Sequence, residues 1–437
     1  MHRRSVFCLL LLVTLAFLSP AQAQPTRVPD GRAHARSLVV SKRGIVATSQ
    51  VLPSQAGADI LARGGSAVDA AIAANAVLSV MEPMMAGPGG DLFAIYRDAK
   101  TGEVSGLNAS GWAPSGLTID FLRQKGISEM PRRGIYSVTV PGCVDGWEKL
   151  HRKFGRLPWK DLFGPAIYLA ANGFPVSERL AYFWSLGITA SCKDPVCRAA
   201  LLPNDRAPKE GDIFRNPDLA KALRILSEQG AAAFYKGSIA AAILRTSDRL
   251  GGTFTKADLE QFASEWVTPA SATYRGWKVY ELPPNSRGIA VLEMLNLLGT
   301  FPKEQLIAMG AADIHRRIEV MRLAYADIGY IADPLVQITP VSGLLSPEYA
   351  RSRAALIDPE HTHCDVKPGR LAMEPGETTY LSVVDREGNI VSLIESLSSV
   401  SGVLVDGMGF LLQNRGLYFS VPLVNSDQLD KLELVAL

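Results

Sequence analysis

Two adjacent hydroxyls, Thr378 and Thr379, follow Gly376–Glu377 late in the chain, in "MEPGETTYLSVVDREGNIVSLIESLSSVSG" (373–402). A threonine hydroxyl is a poor nucleophile until a base takes its proton, and one available base is the residue's own α-amine. That amine has an unperturbed pKa of about 8, close to working pH. It is free only if the threonine is a chain terminus, which an internal residue becomes when the peptide bond before it is cut. Gly376–Glu377 offers a turn-prone approach in which the Thr378 hydroxyl could attack the preceding carbonyl, the Glu377–Thr378 bond being the one at stake. The competing reading is plain β-propensity, since threonine favours strands. No histidine follows Thr378, which argues against a His-based triad drawn from the downstream segment.

The elements that must position this pair are legible as patterns. "TYLSVV" and "IVSLIESL" alternate like strands around "DREGN", where Gly388–Asn389 tolerates positive φ, so a hairpin is expected. "LFAIY" and "VSGLN" form a second strand pair around "DAKTG". "SLVVSKRGIVATSQ" reads as a strand broken at Arg43–Gly44, and "SQAGADILARGG" as a helix with Ser54 at its N-cap. "SAVDAAIAANAVLSVMEP" is a helix capped by Ser66 with Asp69 three residues on. It is apolar nearly all round and so belongs between layers. Residues 145–265 are mostly helical. "GWKVYELPPNSRG" returns to strand and then a Gly-containing turn, before helices in "IAVLEMLNLLG" and "IHRRIEVMRLAYADIGYIADP". Helices flanking strands imply a layered α/β or α+β architecture.

The 437 residues, 47% hydrophobic and 20% charged, suit a globular protein with a sizeable core. A net charge of +2 gives no ground for a nucleic-acid partner. Basic "HRR", apolar "SVFCLLLLVTLAFL" and Ala21–Gln22–Ala23 form a secretory signal pattern over residues 1–23. The expected mature protein is secreted or periplasmic, with no membrane attachment after signal removal. Export permits disulfides, and Cys192 and Cys197 in "SCKDPVC" can pair, while Cys143 and Cys364 have no nearby mate in sequence. "GPGGDLF" (87–93) lacks the GK[ST] ending of a phosphate loop and reads as a turn. "HTH" (361–363), with Cys364 and Asp365, lies just upstream of the expected cut and reads as processing-loop sequence rather than a metal site. Neither a metal nor a cofactor is expected.

Several blocks in order resemble the γ-glutamyltransferase (γ-glutamyltranspeptidase) family of N-terminal-nucleophile hydrolases. They are "GIVATSQVLPSQAGADILARGGSAVDAAIAANAVLSVMEPMMAGPGGDLFAIY", "SVTVPGCVDGWEKLHRKFGRLPW", "LPPNSRGIAVLEMLNLL", "MRLAYADIGYIADP" and "TTYLSVVDREGNIVSLIESL". The resemblance implies an α+β fold, the αββα sandwich of those hydrolases. It also implies a precursor that cuts itself into a large subunit (24–377) and a small one (378–437). Thr378 would be nucleophile and, through its new amine, base. Ser396 falls where the family has a threonine bonded to the nucleophile. The implied activity is hydrolysis or transfer of a γ-glutamyl or related acyl group from a small-molecule amide of the glutathione type, through an acyl-threonine.

Some positions depart from the family pattern. An arginine that would grip the substrate α-carboxylate is replaced by Ser110 in "LNASGWAP", and serine cannot make that bidentate contact. The block that holds the α-amine, "LLNNQMDDFS" in the family, reads "LLQNRGLYFS", with Arg415 and Tyr418 in place of amide or acid. Ser398 stands where an asparagine is expected. These exchanges imply an altered acyl preference, toward that of cephalosporin (glutaryl) acylases. Arg415 then either meets an acid group on the acyl chain or is a solvated surface residue. Beyond "SVPLVNSDQLDKLELVAL" the rest of the family's small subunit does not appear, so the C-terminal part of the sandwich is expected to be incomplete. A truncated, non-catalytic remnant is the alternative to an active enzyme.

Overall fold

The computed structural model describes residues 38–306, 309–334, 340–362, 377–420 and 435–436. The chain divides into a leading unit, Met1–Lys42, and a second unit, Arg43–Leu437. Residues 38–42 of the leading unit carry no strand, so of the stretch expected to be extended there only Gly44–Ala47 is one. The expected leader, residues 1–23, and His363–Asp365 of the processing-loop motif lie outside the described residues.

Among the described residues, the strands of three or more residues are β1 (Gly44–Ala47), β2 (Asp91–Arg97), β3 (Val104–Ala109), β4 (Glu265–Val267), β5 (Ala270–Tyr274), β6 (Trp277–Glu281), β7 (Glu377–Asp385) and β8 (Ile390–Ser398). Six of them form one antiparallel sheet in the order β1-β7-β8-β2-β3-β4. The late hairpin β7–β8 therefore sits in the middle of a sheet whose other strands come from much earlier in the chain. Period-two alternation gives that sheet two different faces. Leu381, Val383, Val391, Leu393, Leu92 and Ala94 are buried on one face, while Tyr380, Val384, Ile390 and Ile394 on the other are exposed among the described residues.

The buried face packs on helix α2 (Ala67–Met81), with α1 (Val51–Ala62) against β1 and α2, and α3 (Cys143–Phe154) against β2 and β3. Every residue of α2 is buried, as its all-round apolar sequence requires. Its start is the expected capping box: Ser66 Oγ accepts from the Asp69 N–H at 3.1 Å, and Asp69 Oδ2 accepts from the Ser66 N–H at 2.9 Å. Helix α1 begins earlier than expected, after Gln50 rather than Ser54. Pro53 costs little there, because first-turn N–H groups have no intrahelical acceptor. Ser54 Oγ pairs with Thr48 Oγ1 at 2.8 Å instead.

A second packing centre joins the β5–β6 hairpin to α4 (Gly288–Gly299) and the segment following α5 (Ala311–Ala326), through Ala272, Ile289, Leu292, Ile328 and Ile331. The loop 282–287 between β6 and α4 reaches the exposed face of the large sheet. Cys192 and Cys197 form a disulfide, and Cys143 is a buried free thiol.

Candidate active site

The two threonines occupy opposite faces of β7. Thr379 points into the core, 2% exposed, with its Oγ1 3.5 Å from Ser49 Oγ. Thr378 points to the other face and is exposed. Strand alternation thus separates the adjacent hydroxyls: one is packed, the other is available for chemistry.

Thr378 lies directly across from Ser396 on β8, and their hydroxyl oxygens are 3.0 Å apart. Ser396 Oγ also accepts the Ser398 N–H at 2.7 Å. That contact uses a lone pair, so the one Ser396 oxygen meets both the Ser398 N–H and the Thr378 hydroxyl. The register shift between Ser396 and Ser398 makes it possible, because Ser398 sits at φ +69 and folds its N–H back. Ser396's own N–H donates to Asp91 Oδ1 at 2.9 Å. Asp91 begins β2 and is fully buried; its Oδ2 accepts from Arg415 Nε. Burial pushes the Asp91 carboxyl up, and Arg415 and the Ser396 N–H pull it back. Arg415, Asp91, Ser396 and Thr378 therefore form one connected chain.

On the core side, Glu395 anchors β8. Its carboxylate oxygens accept from Asn75 Nδ2 at 2.6 Å and the Gly87 N–H at 2.5 Å, and Trp147 Nε1 donates to Asn75 Oδ1 at 2.8 Å. Burial drives the Glu395 carboxyl well up, against those donors. The Gly run of "GPGGDLF" is a close-approach turn. A Cβ on Gly89 would meet Leu411 O at 2.1 Å, and one on Gly90 would meet Ser396 O at 2.8 Å.

Thr378 opens onto a cavity of about 600 Å³. Asp91, Phe93, Ser110, Glu281, Asn285, Arg287, Tyr380, Arg415 and Tyr418 are among its walls. Ser110, just past β3, is tied down: its Oγ accepts from Asn285 Nδ2 at 3.1 Å, and Asn285 Oδ1 accepts from Asn108 Nδ2 at 2.9 Å. Its carbonyl accepts from Gln413 Nε2 at 3.0 Å. The Arg287 guanidinium lies 4.8 Å from the centre of the Tyr418 ring. Burial pushes Arg287 down and Glu281 up.

The residues singled out from sequence thus meet in one place. Thr378, Ser110 and Arg415 line the cavity, and Ser396 touches Thr378 from the neighbouring strand. Ser398 acts through its backbone; its buried Oγ has no partner among the described residues. The backbone of Glu377 opens β7, while its side chain is outside the described residues. Arg415 is not a free cation: Asp91 meets its Nε, while about a third of its side chain remains exposed. Sequence reading missed Asp91, Glu281, Asn285 and Arg287. Asp91 was visible only as the end of a glycine turn, and the other three as punctuation around a proline pair. No cluster able to hold a metal occurs among the described residues.

A gamma-glutamyltranspeptidase family model matches residues 53–433. The chain is 35% identical over 387 residues to the glutathione hydrolase-like YwrD proenzyme of Bacillus subtilis (strain 168), covering 88% of this chain and 72% of that protein. It is 34% identical to the glutathione hydrolase proenzyme of the same organism, over 95% of this chain and 75% of that one. Among solved structures, a cephalosporin acylase from Bacillus halodurans superposes with a TM-score of 0.80 at 38% identity, covering 91% of this chain and 74% of that chain.

Proposed function

The chain belongs to the gamma-glutamyltranspeptidase family and has the N-terminal-nucleophile hydrolase fold, and on that premise we propose that it cuts itself before Thr378 and then uses Thr378 to hydrolyse or transfer acyl groups. The observation that carries this reading is the Thr378–Ser396 hydroxyl pair, 3.0 Å apart at the edge of a cavity large enough for a small substrate.

In the first step the Thr378 hydroxyl attacks the Glu377 carbonyl carbon. The C–N bond breaks, an ester C–O bond forms, and the hydroxyl proton ends on the Thr378 nitrogen. Water then hydrolyses the ester, giving a Glu377 carboxylate and a free Thr378 amine and hydroxyl. The products are a large-subunit region ending at 377 and a small-subunit region beginning at 378. In turnover, the amine takes the hydroxyl proton as oxygen attacks a substrate amide, and the leaving amine departs with that proton. Water or an acceptor amine then resolves the acyl-threonine. Ser396 Oγ stays hydrogen-bonded to the attacking oxygen, and its strand is held there by the Ser396 N–H on Asp91.

The acyl group proposed is γ-glutamyl or a related short acyl chain, in an exported protein. A glutaryl-type acylase is the second reading, favoured by the likeness to the cephalosporin acylase and by Ser110 being committed to Asn285. Among the described residues no helix is long and apolar enough to cross a membrane.

Denaturing electrophoresis of the purified chain tests the core of the proposal. Two fragments are expected, the smaller beginning at Thr378 by N-terminal sequencing, and Thr378→Ala should leave one unbroken band. A cut that persists in Thr378→Ala would remove Thr378 as nucleophile; an unbroken wild-type chain would remove self-processing altogether.

A further inference from the structure

The cavity holding Thr378 carries two arginines in different electrostatic states. Arg415 donates to the buried Asp91. Arg287 has no carboxylate within ion-pair distance among the described residues, and Glu281 on the same cavity wall makes no ion pair with it. Its guanidinium lies over the Tyr418 ring face. Burial and the neighbouring Arg415 both push the Arg287 guanidinium down, the direction expected of a cation short of a counter-charge. A half-buried cation without a carboxylate is stabilised when an anion arrives, and a guanidinium offers a planar fork suited to a carboxylate.

We propose that Arg287 is the acyl-chain anchor of this enzyme and binds a carboxylate carried at the far end of the acyl group whose carbonyl faces Thr378. The substrate class is then the monoamide of a short dicarboxylic acid, of which a γ-glutamyl amide is an amino-substituted member. The inference rests on Thr378 as the attacking residue only to fix which end of the substrate lies where. Arg415 differs in that its charge is already met by Asp91.

Binding to the uncut full-length Thr378→Ala protein separates this inference from catalysis. Calorimetric titration with glutaramate and with valeramide compares chains of equal length with and without the carboxylate. Thr378→Ala should favour glutaramate by roughly a hundredfold, the scale of losing one partner of a desolvated charge pair. In Thr378→Ala/Arg287→Gln the ratio should collapse to within a few-fold. In Thr378→Ala/Arg287→Lys, which keeps the charge but loses the fork, it should fall about tenfold. The Lys variant carries the test alone should the Gln variant fail to fold. The inference is overturned if glutaramate does not bind, if it binds no better than valeramide, or if the preference survives removal of the guanidinium. None of these results bears on Thr378, whose role fails separately if self-cleavage persists in Thr378→Ala.

Discussion

Replacing Arg415 with methionine should expose how strongly the Asp91 pair holds the site together. Asp91 has a side chain 1% exposed; that of Arg415 is 32% exposed. Removing the arginine strands a carboxylate that cannot reach water, a change that costs about 3–5 kcal/mol in buried pairs. Since one partner is one-third solvated, the low end applies, about 3 kcal/mol. Asp91→Asn should cost less, about 1 kcal/mol, because the amide oxygen still accepts the Ser396 N–H and Arg415 can turn toward solvent. The double variant should lose well under the sum, leaving a coupling of about 2 kcal/mol. Urea unfolding of the four proteins at pH 8 measures the cycle. The penalty in Arg415→Met should also shrink at low pH. There the Asp91 pKa lies above its unfolded value, so the folded state takes up the proton first. The destabilisation is absent below the unfolded pKa and grows as pH rises toward the folded one. Additive single-variant effects, or a loss below about 1 kcal/mol in Arg415→Met, would refute the claim that this pair supports the site.

Ser396→Ala removes the hydroxyl facing Thr378 and strands the Ser398 N–H, so maturation should slow about 10- to 100-fold while Ser396→Thr retains it; gel densitometry over time decides, and parental kinetics in the alanine variant would make the pairing incidental. Glu293, 1% exposed, has its carboxyl pushed up to about 9 by burial, then by its hydrogen bond and repulsion with Asp327, while Arg353 pulls it down. The folded chain therefore keeps a proton that the unfolded one releases above 4.5, and stability should fall as pH rises from about 4.5 to 9. Glu293→Gln should flatten that fall and melt above the parent at pH 9; parallel melting-versus-pH curves would count against it. The two fragments of the cut chain should co-elute as one species on gel filtration without denaturant, and separation there would contradict the sheet order.

The parts of the site that sequence could disclose are those built from local pattern. The β7–β8 hairpin follows from alternating side chains around "DREGN", and the Ser66–Asp69 capping box from a spacing of three. The parts it could not disclose are pairings across long separations. Asp91 and Arg415 are 324 residues apart, and Asn285 and Ser110 are 175 apart. Neither residue of either pair has a local signal that selects its partner. Ser54 shows the opposite failure: a good capping residue by type was overridden by Thr48, which its hydroxyl meets once β1 and α1 are packed.

Sheet order explains how a cut in the middle of a fold can be tolerated. β7 pairs with β1 over four residues and β8 pairs with β2 over seven, so the hairpin is held from both sides by strands on the far side of the Glu377–Thr378 bond. Leu381, Val383, Val391 and Leu393 are completely buried, on the face that packs against α2. Cutting at the first residues of β7 severs none of these ladders or contacts. It frees an amine at the strand end where Ser396, Asp91 and Arg415 already converge. Arg287, without a carboxylate partner among the described residues, biases the same cavity toward anionic substrates. Self-cleavage at this position would then create the base without loosening the frame that aims the nucleophile.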